Sequence, residues 1–200
     1  INSLGNIIAR NAGIRLSADK IKQITYDHVS PLLAGDNDFA LSGRVSKETI
    51  DYLTRQIKTV EKVVVSKVKL RPEYELLLTI PGVGIILCLT IMLETGPIDR
   101  FPHVGNYASY CRKVPTQWTS AGKGKGRGNK NNGNKYLAWA FSEAAEIGRR
   151  YEPKLKAYYD RKVARTNTAL AHSALAHKLC RAAYHIMRDQ VPFVVNKLFG

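Results

Sequence analysis

The sequence predicts an all-α protein in two parts, a helical hairpin or coiled-coil linker over residues 1–70 and a compact helical domain over residues 71–200. Three observations predict this class. Apolar residues recur at helical spacing, clusters of Pro and Gly divide them, and no pair of alternating strands bounded by a hairpin dipeptide is visible. Hydrophobic residues make up 44% of the chain, enough for a buried core. No segment reaches the roughly 20 apolar residues of a transmembrane helix, so no membrane partner is expected.

The first part is predicted to be a helix, a break and a second helix. Ser17 is a candidate N-cap of the first helix, which Pro31 and the Gly-Asp-Asn-Asp cluster at 35–38 interrupt. Ser46 is the candidate N-cap of the second helix. Its apolar residues follow the 3, 4, 3, 4 spacing of a heptad seam: Ile50, Leu53, Ile57, Val60 and Val64. Two heptads fit a self-associating coiled coil and also an amphipathic helix packed on its own domain, and both alternatives stay open.

The second part begins after the break at Arg71-Pro72 and is predicted to be a series of helices. Three of them are expected over residues 137–149, 153–164 and 169–189. Gly148 lies near the end of the first, Pro153 suits the first turn of the second, and Pro192 stops the third.

A glycine turn joins two apolar stretches at residues 77–88. Pro81, Gly82 and Gly84 form the turn, and Cys88 supplies a small residue where the two helices would cross. This arrangement resembles the helix-hairpin-helix motif, in which glycine backbone and the next helix N-terminus contact a DNA phosphate. We therefore predict nucleic-acid contacts at Gly82 and Gly84. A tight helix–helix turn inside a core is the alternative.

Positive charge dominates the chain, with 31 Lys and Arg against 16 Asp and Glu and a formal net charge of +15. No acidic residue lies between Asp99 and Glu143, whereas eight Lys and Arg do. Such an excess favours a polyanionic partner, nucleic acid first. A solvated basic loop is the alternative.

The most informative stretch is a glycine-rich basic segment, residues 115–135. It carries five glycines and four cations within residues 122–133, and Ser120 leads into them. The phosphate-binding pattern GxxxxGK[ST] is absent. A hydroxyl among cations suits phosphoryl transfer, which needs an oriented nucleophile and neutralised phosphate oxygens. Ser120 is the candidate nucleophile, with Thr119 as a second hydroxyl. The predicted nucleic-acid-binding residues in and beside the segment are Arg112, Lys113, Trp118, Lys123, Lys125, Arg127, Lys130, Asn134 and Lys135.

Other candidate sites are weaker. Trp139 is expected to pack in the core, whereas Trp118 could stack on a base or ribose. His177 and Cys180 share one face of the last long helix, but zinc usually takes four ligands, so no metal site is predicted. The three cysteines are far apart, so no disulfide framework is expected.

The order of short motifs resembles a known family. The motifs are IPGVG at 80–84, ETGPIDRF at 94–101, NYASY at 106–110, VP at 114–115, SAGK at 120–123, NGNKYL at 132–137 and AHKLCRAAY at 176–184. Over roughly residues 73–193 they are similar to the C-terminal transposase domain of the insertion-sequence "one-ten / eleven-eleven" family, which includes the Piv-type DNA invertases.

The resemblance implies a recombinase that cuts and rejoins bacterial DNA by transesterification through a serine-phosphate intermediate. Carried over, the family's serine is Ser120. Full-length members begin with a RuvC-like domain whose DEDD carboxylates bind Mg²⁺, act as oligomers, and are guided by a structured "bridge" RNA. The implied partners are therefore DNA, a structured guide RNA and further copies of the chain. The implied location is the bacterial cytoplasm, in association with the nucleoid.

The chain departs from the family at several places. Ala121 stands where members often have Gly, and Ala138 where many have Arg. Residues 1–70 show no carboxylate set in a strand context, so the chain is expected to be the C-terminal part of a larger recombinase. It then has no cofactor of its own, with Mg²⁺ in the RuvC-like domain, and is inactive alone. The alternatives are a non-catalytic nucleic-acid-binding module and a structural dimerisation fragment.

Overall fold

The computed structural model describes residues 1–68, 71–114, 117–120, 123–127 and 132–199, and confirms the all-α class. Within these ranges the elements are helices and one short antiparallel ribbon, of whose side chains only that of Lys123 is described. None of the described helices is long and apolar enough to cross a membrane. The chain divides into two compact units, Ile1–Ser66 and Lys67–Gly200.

The first unit is built on four helices and a 3₁₀ turn. In order these are α1 (Asn2–Ala12), α2 (Ala18–Gln23), α3 (Tyr26–Val29), the 3₁₀ turn Ser30–Leu33 and α4 (Asn37–Val68), whose last residues belong to the second unit. Ser17 caps α2 as predicted, because its Oγ accepts the Lys20 N–H at 3.2 Å. The core of the unit consists of Leu4, Ile8, Ile21, Val29 and Leu33.

Helix α4 begins ten residues earlier than predicted, at Asn37. Its cap is Asp36, whose Oδ1 accepts the N–H groups of Asp38 at 2.8 Å and Phe39 at 3.1 Å. Ser46 therefore lies inside the helix, and the prediction that it is the cap is wrong. Gly43 lies inside the helix, where the lack of a side chain leaves room for Leu33. A Cβ at residue 43 would lie 2.0 Å from Leu33 Cδ1.

The middle of α4 exposes the predicted heptad seam. Leu53, Ile57 and Val60 are 51%, 55% and 61% exposed, while Ile50 and Val64 are partly buried. Within the first unit the central seam residues are thus left uncovered, which favours the coiled-coil alternative at these three positions.

The second unit follows with seven helices and the ribbon among its described residues. They are α5 (Pro72–Leu78), α6 (Ile85–Thr95), a 3₁₀ turn (Ile98–Arg100), α7 (Val104–Tyr110), β1 (Gln117–Ser120), β2 (Lys123–Arg127), α8 (Lys135–Tyr151), α9 (Pro153–Arg165), α10 (Thr168–Asp189) and α11 (Val195–Phe199). Side chains of Asn134, Glu152 and Asn167 cap α8, α9 and α10.

Helix α10 is the centre of the second unit and packs against α5, α7, α8 and α9. Tyr107, Phe141 and Tyr184 fill the space between α7, α8 and α10, and their rings meet at tilted or T-shaped angles. The Tyr184 hydroxyl donates to the Phe101 carbonyl at 3.0 Å. Cys88 is fully buried between α5 and α6, 3.3 Å from the Tyr74 carbonyl, which confirms its predicted position at the helix crossing.

Candidate nucleic-acid interface

Two sets of hydrogen bonds tie the start and the end of the glycine-rich basic segment together. The Arg112 guanidinium donates from Nε and Nη2 to the Gly133 carbonyl at 3.1 and 2.8 Å. The Asn134 N–H donates to the Tyr110 carbonyl at 2.6 Å. We call these contacts the clasp. They place residue 112, at the end of α7, beside residue 133, at the start of α8, so the segment leaves and re-enters the helical body at one point.

Gly133 makes this close approach possible. Its φ of +88° lies in the left-handed region, and a Cβ at this position would sit 2.4 Å from the Tyr110 carbonyl oxygen. Arg112 also has positive φ, +54°. A non-glycine residue in this region is uncommon and indicates a backbone that its surroundings hold in place.

Asn134 joins the clasp to α8. Its Oδ1 accepts the N–H groups of Tyr136 at 2.8 Å and Leu137 at 3.0 Å, which caps the helix. Its Nδ2 donates to Glu94 on α6 at 2.5 Å and lies 3.4 Å from the Tyr110 hydroxyl. Both the Oδ1 and the Nδ2 of Asn134 are thus hydrogen-bonded within the protein. The predicted contact of Asn134 with nucleic acid stays a prediction.

Three residues outside the predicted set of site residues, Glu94, Arg100 and Tyr110, support the clasp. Glu94 receives the Asn134 amide, and the Arg100 guanidinium lies over the Tyr110 ring, 4.6 Å from its centroid. Hydrogen bonds to the Tyr110 hydroxyl, from Asn134 first and from Arg100, lower the pKa of Tyr110. Glu94, Arg100 and Tyr110 each lie in a motif that carries the family resemblance. The motifs alone do not show that these three residues lie close together in the fold.

Lys113 is anchored inside the unit rather than exposed. Only 9% of the residue is accessible, and its Nζ donates to Ser142 Oγ on α8 at 2.7 Å. Burial lowers the pKa of Lys113. The ammonium that was predicted to hold nucleic acid is thus turned towards α8, where it fixes the entry to the basic segment. Its contact with nucleic acid stays a prediction.

The basic segment contains a β-ribbon, where its composition predicts a loop. β1 and β2 pair antiparallel, with Gln117 opposite Arg127, Thr119 opposite Gly124 and Ser120 opposite Lys123. The register shifts between Gln117 and Thr119. The ribbon was missed because Gly alternates with Lys and Arg along β2, so the apolar alternation of a half-buried strand is lacking.

The ribbon places the candidate nucleophile at its far end from the clasp. Ser120 is the last residue of β1, and its partner Lys123 is the first of β2 and is exposed. Lys125 and Arg127 follow on β2, and Trp118 lies on β1. The side chains of Trp118, Ser120, Lys125 and Arg127 lie outside the described part of the structure, as does all of Lys130.

The predicted helix-hairpin-helix turn has two glycines in different settings. Gly82 has φ +89°, and a Cβ there would lie 2.3 Å from the Ala144 carbonyl oxygen and 2.5 Å from Gly148 N. This glycine therefore allows the turn to pack on α8. Gly148 lies in the last turn of α8 as the matching close contact, and the helix ends at Tyr151, two residues beyond its predicted end at 149.

Gly84 is open by comparison. It is the N-cap of α6, and nothing lies within 4 Å of an added Cβ. A free approach to the first amides of an 11-residue helix suits an anion. The phosphate contact predicted for Gly82 and Gly84 stays a prediction, and Gly84 is the better placed of the two.

The first turn of α8 adds an exposed aromatic and cationic face. The Lys135 ammonium lies 5.0 Å from the centroid of the Tyr136 ring, and both residues are exposed. Trp139 is 46% exposed, so the prediction that it packs in the core is wrong. The core face of α8 is formed instead by Leu137, Ala140, Phe141 and Ala144, which leaves Trp139 on the outer side.

Comparison with known proteins finds a family match for the part of the chain that contains the clasp and the ribbon. Residues 74–160 match the transposase IS116/IS110/IS902 family, and this range includes the clasp, the ribbon and Ser120. The "Insertion element IS110 uncharacterized 43.6 kDa protein" of Streptomyces coelicolor (strain ATCC BAA-471 / A3(2) / M145) is 27% identical over 135 residues. That match covers 67% of this chain and 33% of the relative, so the chain spans about a third of the length of this curated relative. These matches support a C-terminal transposase domain of the IS116/IS110/IS902 family at residues 74–160.

Proposed function

We propose that this domain cuts and rejoins DNA by transesterification, with Ser120 as the nucleophile. The observation that supports the proposal is the position of Ser120 at the end of β1, opposite the exposed Lys123, on a ribbon within the segment whose two flanks the clasp joins. A nucleophile gains rate when it is held near the reacting phosphate. The clasp holds residues 112 and 133, which flank the ribbon in the chain, and so limits where the ribbon can place the hydroxyl.

The proposed chemistry is balanced in bonds and protons. Ser120 Oγ forms a bond to phosphorus, and the bond from phosphorus to a deoxyribose oxygen breaks. The hydroxyl proton leaves to water and the sugar oxygen takes up a proton, so none is consumed overall. The phosphodiester energy is kept in the phosphoserine, and attack by a sugar hydroxyl reverses the step without ATP. Positive charge near the phosphate oxygens stabilises the transition state, and we assign this task to Lys123, Lys125, Arg127 and Lys130.

The residues of this chain can be tested for their fit to a metal ion. The family resemblance implies Mg²⁺, which takes oxygen ligands such as carboxylates. Among the described residues no three His, Cys, Asp or Glu side chains are grouped to hold a metal, and the sequence has no acid between Asp99 and Glu143. These residues do not fit the ion, and no step above depends on it. We assign the ion to a RuvC-like domain that acts with this one.

The same proposal includes two further partners. A structured guide RNA would bind the basic surface, and a second copy of the chain would pack on the exposed seam of α4. Leu53, Ile57 and Val60 support self-association, because they are exposed and follow the heptad spacing at which two helices interlock. An enzyme of this kind works at the bacterial nucleoid.

The experiment joins this chain to a RuvC-like domain and incubates it with Mg²⁺ and end-labelled DNA. We expect a covalent protein–DNA adduct on a denaturing gel, no adduct with Ser120→Ala, and an undiminished adduct with the matched control Thr119→Ala. An adduct that survives in Ser120→Ala would refute the assignment of the nucleophile.

The alternative functions give different results in the same preparation. A non-catalytic binding module would bind DNA and form no adduct with any variant. Contact with six phosphates would give a slope of about −5 for log K against log salt. An affinity that does not depend on salt would contradict both nucleic-acid functions and leave the dimerisation fragment.

A further inference from the structure

A second basic site lies in the second unit, away from the clasp. A cavity of about 380 Å³ lies between the C-terminal half of α10, the turn that follows it and α11. This volume is within the range of ligand-binding clefts, about 300–1,000 Å³. Lys178, Arg181 and Ala182 of its lining lie in the AHKLCRAAY motif at 176–184, which does not by itself predict a cavity.

One wall of the cavity is cationic. Lys178, Arg181 and Lys197 line it, and no ion pair joins them to a carboxylate in the part of the chain that the structure describes. Lys178 Nζ donates to the Leu198 carbonyl at 3.0 Å, which positions the ammonium and leaves its charge uncompensated. Three positive charges at one cavity favour an anionic ligand.

The acidic residue in the cavity wall, Asp189, does not cancel this charge. Its carboxylate lies 2.9 Å from Arg188 Nε and 3.3 Å from His185 Nδ1. The hydrogen bond from Arg188 lowers the pKa of Asp189. Because Asp189 is already engaged by Arg188, the three lysine and arginine side chains of the wall keep their charge for a ligand.

The other wall is apolar. Ile186, Val191, Phe193 and Val194 line it, and Val191 and Val194 are 41% and 43% exposed. A free inorganic anion gains nothing from a hydrocarbon wall. A nucleotide presents a flat base beside a phosphate, and stacking of bases on aromatic side chains next to cations is how single strands are held.

The cavity and the clasp lie on opposite faces of α10. The cavity residues of this helix, Lys178, Arg181, Ala182, His185 and Asp189, recur at spacings of three and four and share one face. Tyr184 and Cys180 are buried on the other face, where Tyr184 meets Phe101 and Tyr107. The cavity thus lies on the side of α10 that faces away from α7, the helix after which the basic segment begins.

We propose that the α10–α11 cavity binds one nucleotide of a single-stranded nucleic acid. Arg181, Lys178 and Lys197 hold the phosphate, and the base lies against Phe193. The choice of nucleic acid rests on the proposed function, but neither Ser120 nor the clasp takes part. The site gives the domain a hold on a second strand while the ribbon engages the first.

Binding of a labelled oligo(dT) strand to the full chain tests the charge of the wall. The variant Arg181→Gln with Lys197→Gln is compared with Arg161→Gln with Arg165→Gln, which removes two exposed cations of α9 and the same charge. We expect the Kd for oligo(dT) to rise about tenfold in the cavity pair and less than about twofold in the control pair. The slope of log K against log salt should be smaller in magnitude by about 1.4 in the cavity pair, because two phosphate contacts are lost. Equal losses in both pairs would overturn the proposal.

A second arm tests the cavity itself. Ala182→Phe fills the space without a change of charge, and we expect it to weaken oligo(dT) binding while a circular-dichroism melt shows a folded chain. In ¹⁵N spectra of the unmodified chain, thymidine monophosphate should shift the amides of Ala182 and Phe193 more than phosphate or thymidine does. Shifts equal to those from phosphate alone, or binding of a poly-glutamate peptide as tight as that of oligo(dT), would refute a nucleotide site.

The source of the strand and the proposed function are separated by two further comparisons. Oligo(dT) and oligo(U) measured in parallel show whether DNA or RNA is preferred, and tighter binding of either supports the site. Ser120→Ala should keep full cavity binding. If Ser120→Ala loses the covalent adduct and keeps oligo(dT) binding at the cavity, the nucleotide site is independent of the nucleophile assigned to Ser120.

Discussion

The clasp is most sensitive to a single methyl group at Gly133. In Gly133→Ala the new Cβ would lie 2.4 Å from the Tyr110 carbonyl oxygen and 3.2 Å from the Ser109 carbonyl oxygen. Both are backbone atoms at the end of α7, so neither can turn away as a flexible side chain would. The backbone at φ +88° must also accept a side chain in the left-handed region.

The expected cost follows from these contacts. A left-handed conformation costs an L residue about 1–2 kcal/mol. Relief of the clash moves the Asn134 N–H from the Tyr110 carbonyl and the Gly133 carbonyl from Arg112, and each lost hydrogen bond costs about 1 kcal/mol. The total is about 3–4 kcal/mol of unfolding free energy, which lowers the melting temperature by roughly 10 °C in a domain of this size.

Thermal and urea unfolding, followed by circular dichroism, measure this cost. Gly105→Ala is the matched control, because nothing lies within 4 Å of an added Cβ and its φ is not positive. We expect the control to melt at or a few °C above the unmodified chain, because Ala is better than Gly inside a helix by up to about 1 kcal/mol. A Gly133→Ala chain that melts with the control would refute the role assigned to the clasp.

Three further changes test other parts of the account. Asn134→Ala should lower the unfolding free energy by about 1 kcal/mol or more through the lost cap, whereas Asn134→Ser should recover most of it in the same urea titration. The pKa of Lys113 is lowered in the folded chain from its ordinary value of 10.5, so the unfolded chain binds more protons just below pH 10.5. The unfolding free energy therefore rises as the pH increases towards 10.5. Lys113→Met should lose this rise in urea titrations at pH 7 to 10. Ile57→Lys on the exposed seam should shift sedimentation of the chain towards monomer, and Ser66→Lys, also exposed on α4 but off the seam, should not; a monomeric unmodified chain would refute self-association through α4.

Local sequence signals predicted the helices of the second unit well. The helices expected at 153–164 and 169–189 lie at Pro153–Arg165 and Thr168–Asp189. Proline positions and apolar spacing are properties of the chain itself, so they can be read without the fold. The cap of α4 was misplaced because Ser46 and Asp36 are both good cap residues, and only the packing of Gly43 on Leu33 shows that the helix runs through.

The candidate site was harder to predict because its contacts join residues far apart in sequence. Glu94 and Asn134 meet across 40 residues, and Lys113 meets Ser142 across 29. Composition marks Lys113 as one more cation of a basic stretch, whereas the fold buries it. Gly82 shows the same limit: the sequence indicates an unusual backbone, and only the neighbouring α8 shows that packing requires it.

The ribbon illustrates a third kind of limit. β1 and β2 lack apolar alternation, and their composition is that of a basic loop. Pairing of Ser120 with Lys123 is a backbone property that charge and glycine content do not reveal. The family resemblance nevertheless pointed to Ser120, because order of motifs carries information that periodicity does not.

The most direct test of the central claim is to identify the residue that carries DNA. The chain joined to a RuvC-like domain is trapped on a DNA substrate with Mg²⁺, digested with protease and nuclease, and the nucleotide-bearing peptide is sequenced by mass spectrometry. We predict one modified peptide from the basic segment, with the nucleotide phosphate on Ser120. A phosphate bond at Thr119, or at a residue outside residues 115–135, would contradict the account.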